Sequence, residues 1–173
     1  MKRLLLMLCV LVAVTSLVAA EDLDLTLATK GLDGAVRNSF EVNEEFWVEV
    51  SLNSQGNVLE EGHLFLGRDA NTEFVAGSGE NGVILSRISL TQNDIGNNRW
   101  EVVWLSDDIV GFNGPRLLFK VKAKAIQPVN TVVITPIFTS SHLGDDFVSY
   151  VDYSISQQPL SISIAGAVCD VNN

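Results

Sequence analysis

The sequence predicts an all-β protein, an antiparallel β-sandwich or jelly roll of about nine strands. Three observations carry that prediction. Residues 117–125, LLFKVKAKA, put Leu117, Phe119, Val121, Ala123 and Ala125 on one side of an extended chain, and Leu118, Lys120, Lys122 and Lys124 on the other. Successive strand side chains point to opposite faces, so this is a strand with an apolar inner face and a basic outer one. Shorter runs of the same alternation recur along the sequence between Asn, Asp and Gly clusters, as strand punctuation should. No window shows the apolar spacing of a helix.

The elements follow in order. Residues 1–20 read as a secretory signal peptide: Lys2 and Arg3 open it, residues 4–17 are nearly all apolar, and Val18-Ala19-Ala20 supplies small residues before Glu21. The apolar run is shorter than the roughly 20 residues a spanning helix needs. Cleavage after Ala20 takes Cys9 with it and leaves a protein exported to the extracellular space or periplasm, with no membrane insertion. Residues 21–165 then form one domain, large enough for a real core. Leu23, Leu25 and Leu27 alternate with Asp24 and Thr26. A loop over 31–38 follows. Phe46, Val48, Val50 and Leu52 alternate with Trp47, Glu49 and Ser51, a strong second strand. Further strands are expected at 62–67, 73–76, 83–90, 100–105, 117–125, 131–139, 147–156 and 160–165. Pro136 lacks the ladder N–H, which predicts a local edge or a bulge there. Residues 166–173 lose the alternation and read as a tail.

Composition excludes several functions. Cleavage removes two of the eleven basic residues and none of the 21 acidic ones, leaving a net charge of −12. Nucleic acid and anionic lipid both require a basic footprint, so neither is an expected partner. The acidity suits a soluble exported protein, and loops that take calcium. Only Cys169 remains after cleavage, so no internal disulfide forms and packing must hold the fold. No N-x-S/T sequon is present.

Motifs that could carry chemistry have simpler readings. Gly77-Ser78-Gly79-Glu80-Asn81-Gly82 matches G-x-G-x-x-G, but the nucleotide-binding version needs a helix next, and Val83-Ile84-Leu85 reads as strand. Ser141, His142, Asp145 and Asp146 contain the ingredients of a hydrolytic triad in one predicted loop, without the strained turn a nucleophile requires. His63 and His142 are the only histidines, too few for a zinc-type cluster. The acidic doublets Glu44-Glu45, Glu60-Glu61, Asp107-Asp108 and Asp145-Asp146 point their members apart and solvate a surface; the last two are candidate calcium contributors. Trp100 and Trp104 share a face with Val102, which reads as core. Trp47 shares its face with Glu49 and Ser51 and is the candidate exposed aromatic, for a glycan or for a protein partner. Asp170-Val171-Asn172-Asn173 fits the opening of D-x-[DN]-x-[DN]-G, making Asp170 and Asn172 candidate calcium ligands if the sequence runs on beyond Asn173.

Three stretches together resemble the cohesin family, secreted jelly-roll domains related to some carbohydrate-binding modules. Residues 39–52, SFEVNEEFWVEVSL, resemble the opening V-x-V-G-x-x-F-x-V-x-V-x-V, with Asn43 where glycine is usual. Residues 99–125 resemble the later pairing of v-x-f-x-W with G-x-L-x-x-l-x-F-x-v-k-A, and residues 131–139 with the two runs after them resemble the close. Residues 62–76 depart: Leu66-Gly67-Arg68-Asp69-Ala70 replaces the usual l-x-Y-D-P. Residues 169–173, CDVNN, resemble the truncated start of a dockerin repeat. The resemblance implies a non-catalytic secreted module whose flat sheet face accepts a dockerin in an extracellular or cell-surface assembly. The alternative on the same scaffold is a carbohydrate-binding module linked to polysaccharide degradation. Outward residues of the predicted strands, Trp47, Glu49, Lys120 and Lys122, are the candidate partner-binding set.

Overall fold

In a computed structural model, the described residues are 23–56, 59–82, 88–96, 98–106, 113–143 and 155–166. They form twelve strands and no helix. These are β1 (Leu23–Gly31), β2 (Ser39–Glu41), β3 (Glu45–Asn53), β4 (Leu59–Gly67), β5 (Thr72–Phe74), β6 (Glu80–Asn81), β7 (Ile88–Gly96), β8 (Arg99–Ser106), β9 (Arg116–Ala125), β10 (Val129–Leu143), β11 (Ile155–Gln157) and β12 (Leu160–Ala165). One sheet runs β11-β1-β3-β9-β5, with β6 also on β9; the other runs β2-β12-β10-β4-β8-β7. Most neighbours are antiparallel as expected. Two short pairs, β1 with β11 and β2 with β12, are parallel.

The alternation read from the sequence builds the core. Phe46, Val48, Val50 and Leu52 of β3 are fully buried, as are Phe119, Val121, Ala123 and Ala125 of β9. The second sheet answers with Leu64 and Leu66, Trp100 and Val102, Val132 and Ile134, and Ile162 and Ile164. Phe40 of the short β2 stacks on Phe46 with ring centroids 4.0 Å apart. Interdigitated side chains of two inner faces are how a sandwich removes apolar surface from water. Asn43, which stands where the resemblance expects glycine, has φ 70°. Asparagine is among the few side chains that tolerate that left-handed conformation.

One expectation is reversed. Leu117 was expected inside and Leu118 outside, but Leu118 is fully buried and Leu117 half-buried. Val50 pairs with Phe119, yet Ser51 pairs with Leu117, so Leu118 is the extra residue of a β-bulge. A bulge sets two residues against one and shifts the alternation by one position. Strict period two therefore holds only from Phe119 onward.

Other boundaries also move. Residues 93–96 read as separators but extend β7, and β2 and β6 are too short to carry a period. Parts of the expected strands at 83–90 and 147–156 lie outside the described residues, as do residues 1–20, expected as a signal peptide, Asp107-Asp108, Asp145-Asp146, and Asp170 and Asn172 of the expected tail. Ser141 and His142, expected in a loop, belong to β10, opposite Gly62 and Glu61. Pro136 sits where β10 changes partners: pairing with β12 ends at Ile134, and pairing with β4 begins at Thr135. It is a local edge, the place where a missing N–H costs least.

The glycine-rich stretch runs along the free side of β9 and seals it. β5 covers Thr72–Phe74 and β6 covers Glu80–Asn81; between them Val75 N–H donates to Lys122 O at 2.9 Å. Ser78 does the rest, its hydroxyl accepting from Lys122 N–H at 3.0 Å and donating to Val75 O at 2.6 Å. A hydroxyl here stands in for a missing strand residue. Ser78→Ala removes both bonds and is expected to cost about 1–2 kcal/mol of unfolding free energy. The check is the urea midpoint at unchanged slope; a midpoint equal to wild type would refute this role.

Candidate partner-binding faces

Each sheet has an outer face, and the four residues singled out from the sequence meet on the first. Trp47 and Glu49 point outward from β3, Lys120 and Lys122 from β9, because their neighbours in sequence are the buried residues of the core. Register does the assembly: Trp47 lies opposite Lys122 and Glu49 opposite Lys120, while Lys30 of β1 lies on the other side of Trp47. The Lys120 ammonium sits 4.1 Å from the Trp47 ring centroid and that of Lys122 5.3 Å away, both within cation–π range.

The charges of this patch are paired within it. Lys30 Nζ lies 2.8 Å from Glu49 Oε2, Lys120 Nζ 2.9 Å from Glu80 Oε2, and Lys122 Nζ 3.8 Å from Glu45 Oε2. Half-exposed pairs of this kind are worth little individually, about 0–1 kcal/mol, so a partner can exchange them at small cost. The ring face of Trp47 is less available. A sugar stacking there must first displace the Lys120 ammonium.

The outer face of the second sheet was not singled out from the sequence. His63 Nε2 lies 2.8 Å from Glu101 Oε1, the ring N–H donating and the carboxylate accepting. The His63 ring packs on Phe65 at 4.6 Å between centroids, and the Arg99 guanidinium stands 5.6 Å from the same ring. Phe65 lies between Glu101 on β8 and Ile137 on β10, and His63 lies opposite Val103. Val103 and Val133 are each 40% exposed. This face therefore combines an aromatic ring, aliphatic side chains left in water and a few charged groups, the composition of a protein interface core with its polar surround. A signal for it was present in the sequence. If Trp100 and Val102 face the core, then Arg99, Glu101 and Val103 must face out.

The doublet Glu44-Glu45 points apart as expected: Glu44 pairs with Arg37 and accepts from Glu41 N–H, whereas Glu45 reaches Lys122. Among the described residues, no group of three or more His, Cys, Asp or Glu is placed to hold a metal ion.

Two mixed sheets stacked over one apolar core, with a broad outer face on each, define a jelly-roll β-sandwich. More particularly, the protein has the cohesin fold. It is similar to the seventh type I cohesin of ScaB from Pseudobacteroides cellulosolvens, at 16% identity over 83% of this chain and 92% of that one, with a TM-score of 0.60. It is similar also to a non-cellulosomal cohesin from the archaeon Archaeoglobus fulgidus, at 15% identity over 82% and 91%, TM-score 0.58. A type I cohesin–dockerin complex from Clostridium thermocellum matches at 13% identity over 83% and 95%, TM-score 0.54. No protein-family model matches the sequence, and no curated protein matches it.

Proposed function

We propose that the protein is an exported, non-catalytic binding module that docks a dockerin-type protein module on an outer sheet face. The observation that carries this reading is the shared fold with cohesins, including one solved in complex with a dockerin. Export rests on the leader-like residues 1–20. A preformed sheet suits docking because little conformational entropy is lost when a rigid face is covered.

Of the two faces, that of β10, β4 and β8 is the better docking surface, because Val103, Val133 and Phe65 offer apolar area that covering would remove from water. The patch of Trp47, Glu49, Lys120 and Lys122 is the second reading, favoured by an outward aromatic ringed by exchangeable charges.

Calorimetric titration of the mature protein with the Clostridium thermocellum type I dockerin and a panel of other dockerins tests both. Phe65→Ala is expected to weaken binding by about 2 kcal/mol, roughly thirtyfold, the scale of an aromatic hot spot. Trp47→Ala is expected to change it less than about threefold. The reverse pattern moves the interface to the β3–β9 face. Failure of every dockerin, combined with retention on insoluble polysaccharide that Trp47→Ala abolishes, would transfer the function to glycan binding.

A further inference from the structure

We propose that Asn113 is a site of spontaneous deamidation in the folded protein, and that the fold spares the other Asn–Gly pair, Asn81–Gly82. These are the only two Asn–Gly dipeptides in the sequence. The reaction needs the glycine nitrogen as nucleophile. At the first pair, the Gly114 nitrogen loses its proton to solvent base and attacks Asn113 Cγ. The new N–C bond closes a succinimide ring, and the bond from Cγ to Nδ2 breaks, its nitrogen leaving as ammonia. Water then opens the ring at either carbonyl, giving aspartate or isoaspartate. Water is the only co-reactant, and no oxidation state changes.

Both asparagines are exposed, so accessibility does not separate them. The glycine nitrogens do. Gly82 N–H donates to Leu118 O at 2.8 Å, a backbone bond that continues the pairing of β6 on β9. The backbone of Leu117 packs directly on the Gly82 Cα, where an added Cβ would come 1.9 Å from Leu117 O. Bringing Gly82 N onto the Asn81 side chain means breaking that bond in a place with no room to move.

Gly114 is the opposite case. It lies outside any strand at φ 85°, and an added Cβ would meet nothing within 4 Å. Its N–H donates at 3.0 Å to a side-chain oxygen, Asn53 Oδ1, which also accepts from Gln55 N–H at 3.0 Å. A rotation of Asn53 frees the Gly114 nitrogen and leaves the sheets untouched. Glycine's broad conformational range then lets the peptide turn toward the ring-closing geometry.

The experiment is incubation of the mature protein in mildly alkaline buffer, followed by peptide mass mapping and isoaspartate detection at both sites. The folded protein should convert Asn113 at least about tenfold faster than Asn81, a difference in barrier of about 1.4 kcal/mol. In strong denaturant the two rates should converge, since both are then unstructured Asn–Gly pairs. Equal rates in the folded protein, an Asn113 that stays intact, or a difference that survives denaturation would each overturn the proposal.

Discussion

Leu118→Asp should prevent folding, while Leu117→Asp should leave a folded protein. Strict alternation along 117–125 predicts the reverse, so the pair separates a straight strand from a bulged one. Leu118 has no exposed surface and belongs to the core cluster with Phe119 and Val121. A carboxylate there must either stay charged in an apolar interior or be held neutral at the cost of its solvation, in addition to the lost apolar contact. That total exceeds about 5 kcal/mol, the lower end of the stability of a typical domain. Leu117 is half-buried beside Gly82, and its replacement is expected to cost about 1–2 kcal/mol. Circular dichroism and urea melts of the two variants give the answer. A folded Leu118→Asp beside an unfolded Leu117→Asp would sink the bulge.

That bulge also shows where legibility in the sequence stops. Alternation in residues 46–52 and 119–125 is a local property, readable because each side chain's face follows from its neighbour's. The place where the phase slips depends on what the partner strand does opposite it, here at Val50 and Ser51. No single strand carries that information. The parallel pairs β1–β11 and β2–β12 were unreadable for a related reason, since direction is a relation between distant segments and three-residue strands have no period to detect. Asn43 is the instructive contrast. Its residue type, standing where the resembling pattern has glycine, is one that tolerates the left-handed φ of 70° that the structure holds.

The candidate faces divide in the same way. Alternation alone told that Trp47, Glu49, Lys120 and Lys122 point outward, and register then brought them together. What the sequence could not convey is that the patch neutralises itself. The Lys120–Glu80 pair depends on β6, a two-residue strand that reaches β9 only through the fold of the glycine-rich stretch. The second face was missed because His63, Phe65, Arg99 and Val103 look ordinary one at a time. They become a surface when β4 and β8 pair and set ring, cation and aliphatic side by side.

Gly82→Ala is expected to be among the most damaging conservative changes in the protein, costing about 3 kcal/mol, the upper part of the usual range for overpacking. The added carbon would lie 1.9 Å from Leu117 O and 2.4 Å from its carbonyl carbon. Backbone atoms cannot swing aside as a side-chain tip can, and Leu117 is fixed by its pairing with Ser51 next to the bulge. Gly77→Ala is the control. Gly77 has φ 71°, yet nothing lies within 4 Å of its added Cβ, so only the backbone conformation is penalised, by about 1–2 kcal/mol. The two glycines belong to one stretch that matches a nucleotide-binding pattern on paper, and the comparison decides what the pattern is for. If its glycines serve to let β6 approach β9 and close its free side, the tight position must cost more than the strained one. Should urea melts show Gly77→Ala to be the costlier change, close packing of this stretch on β9 is not what the glycines provide.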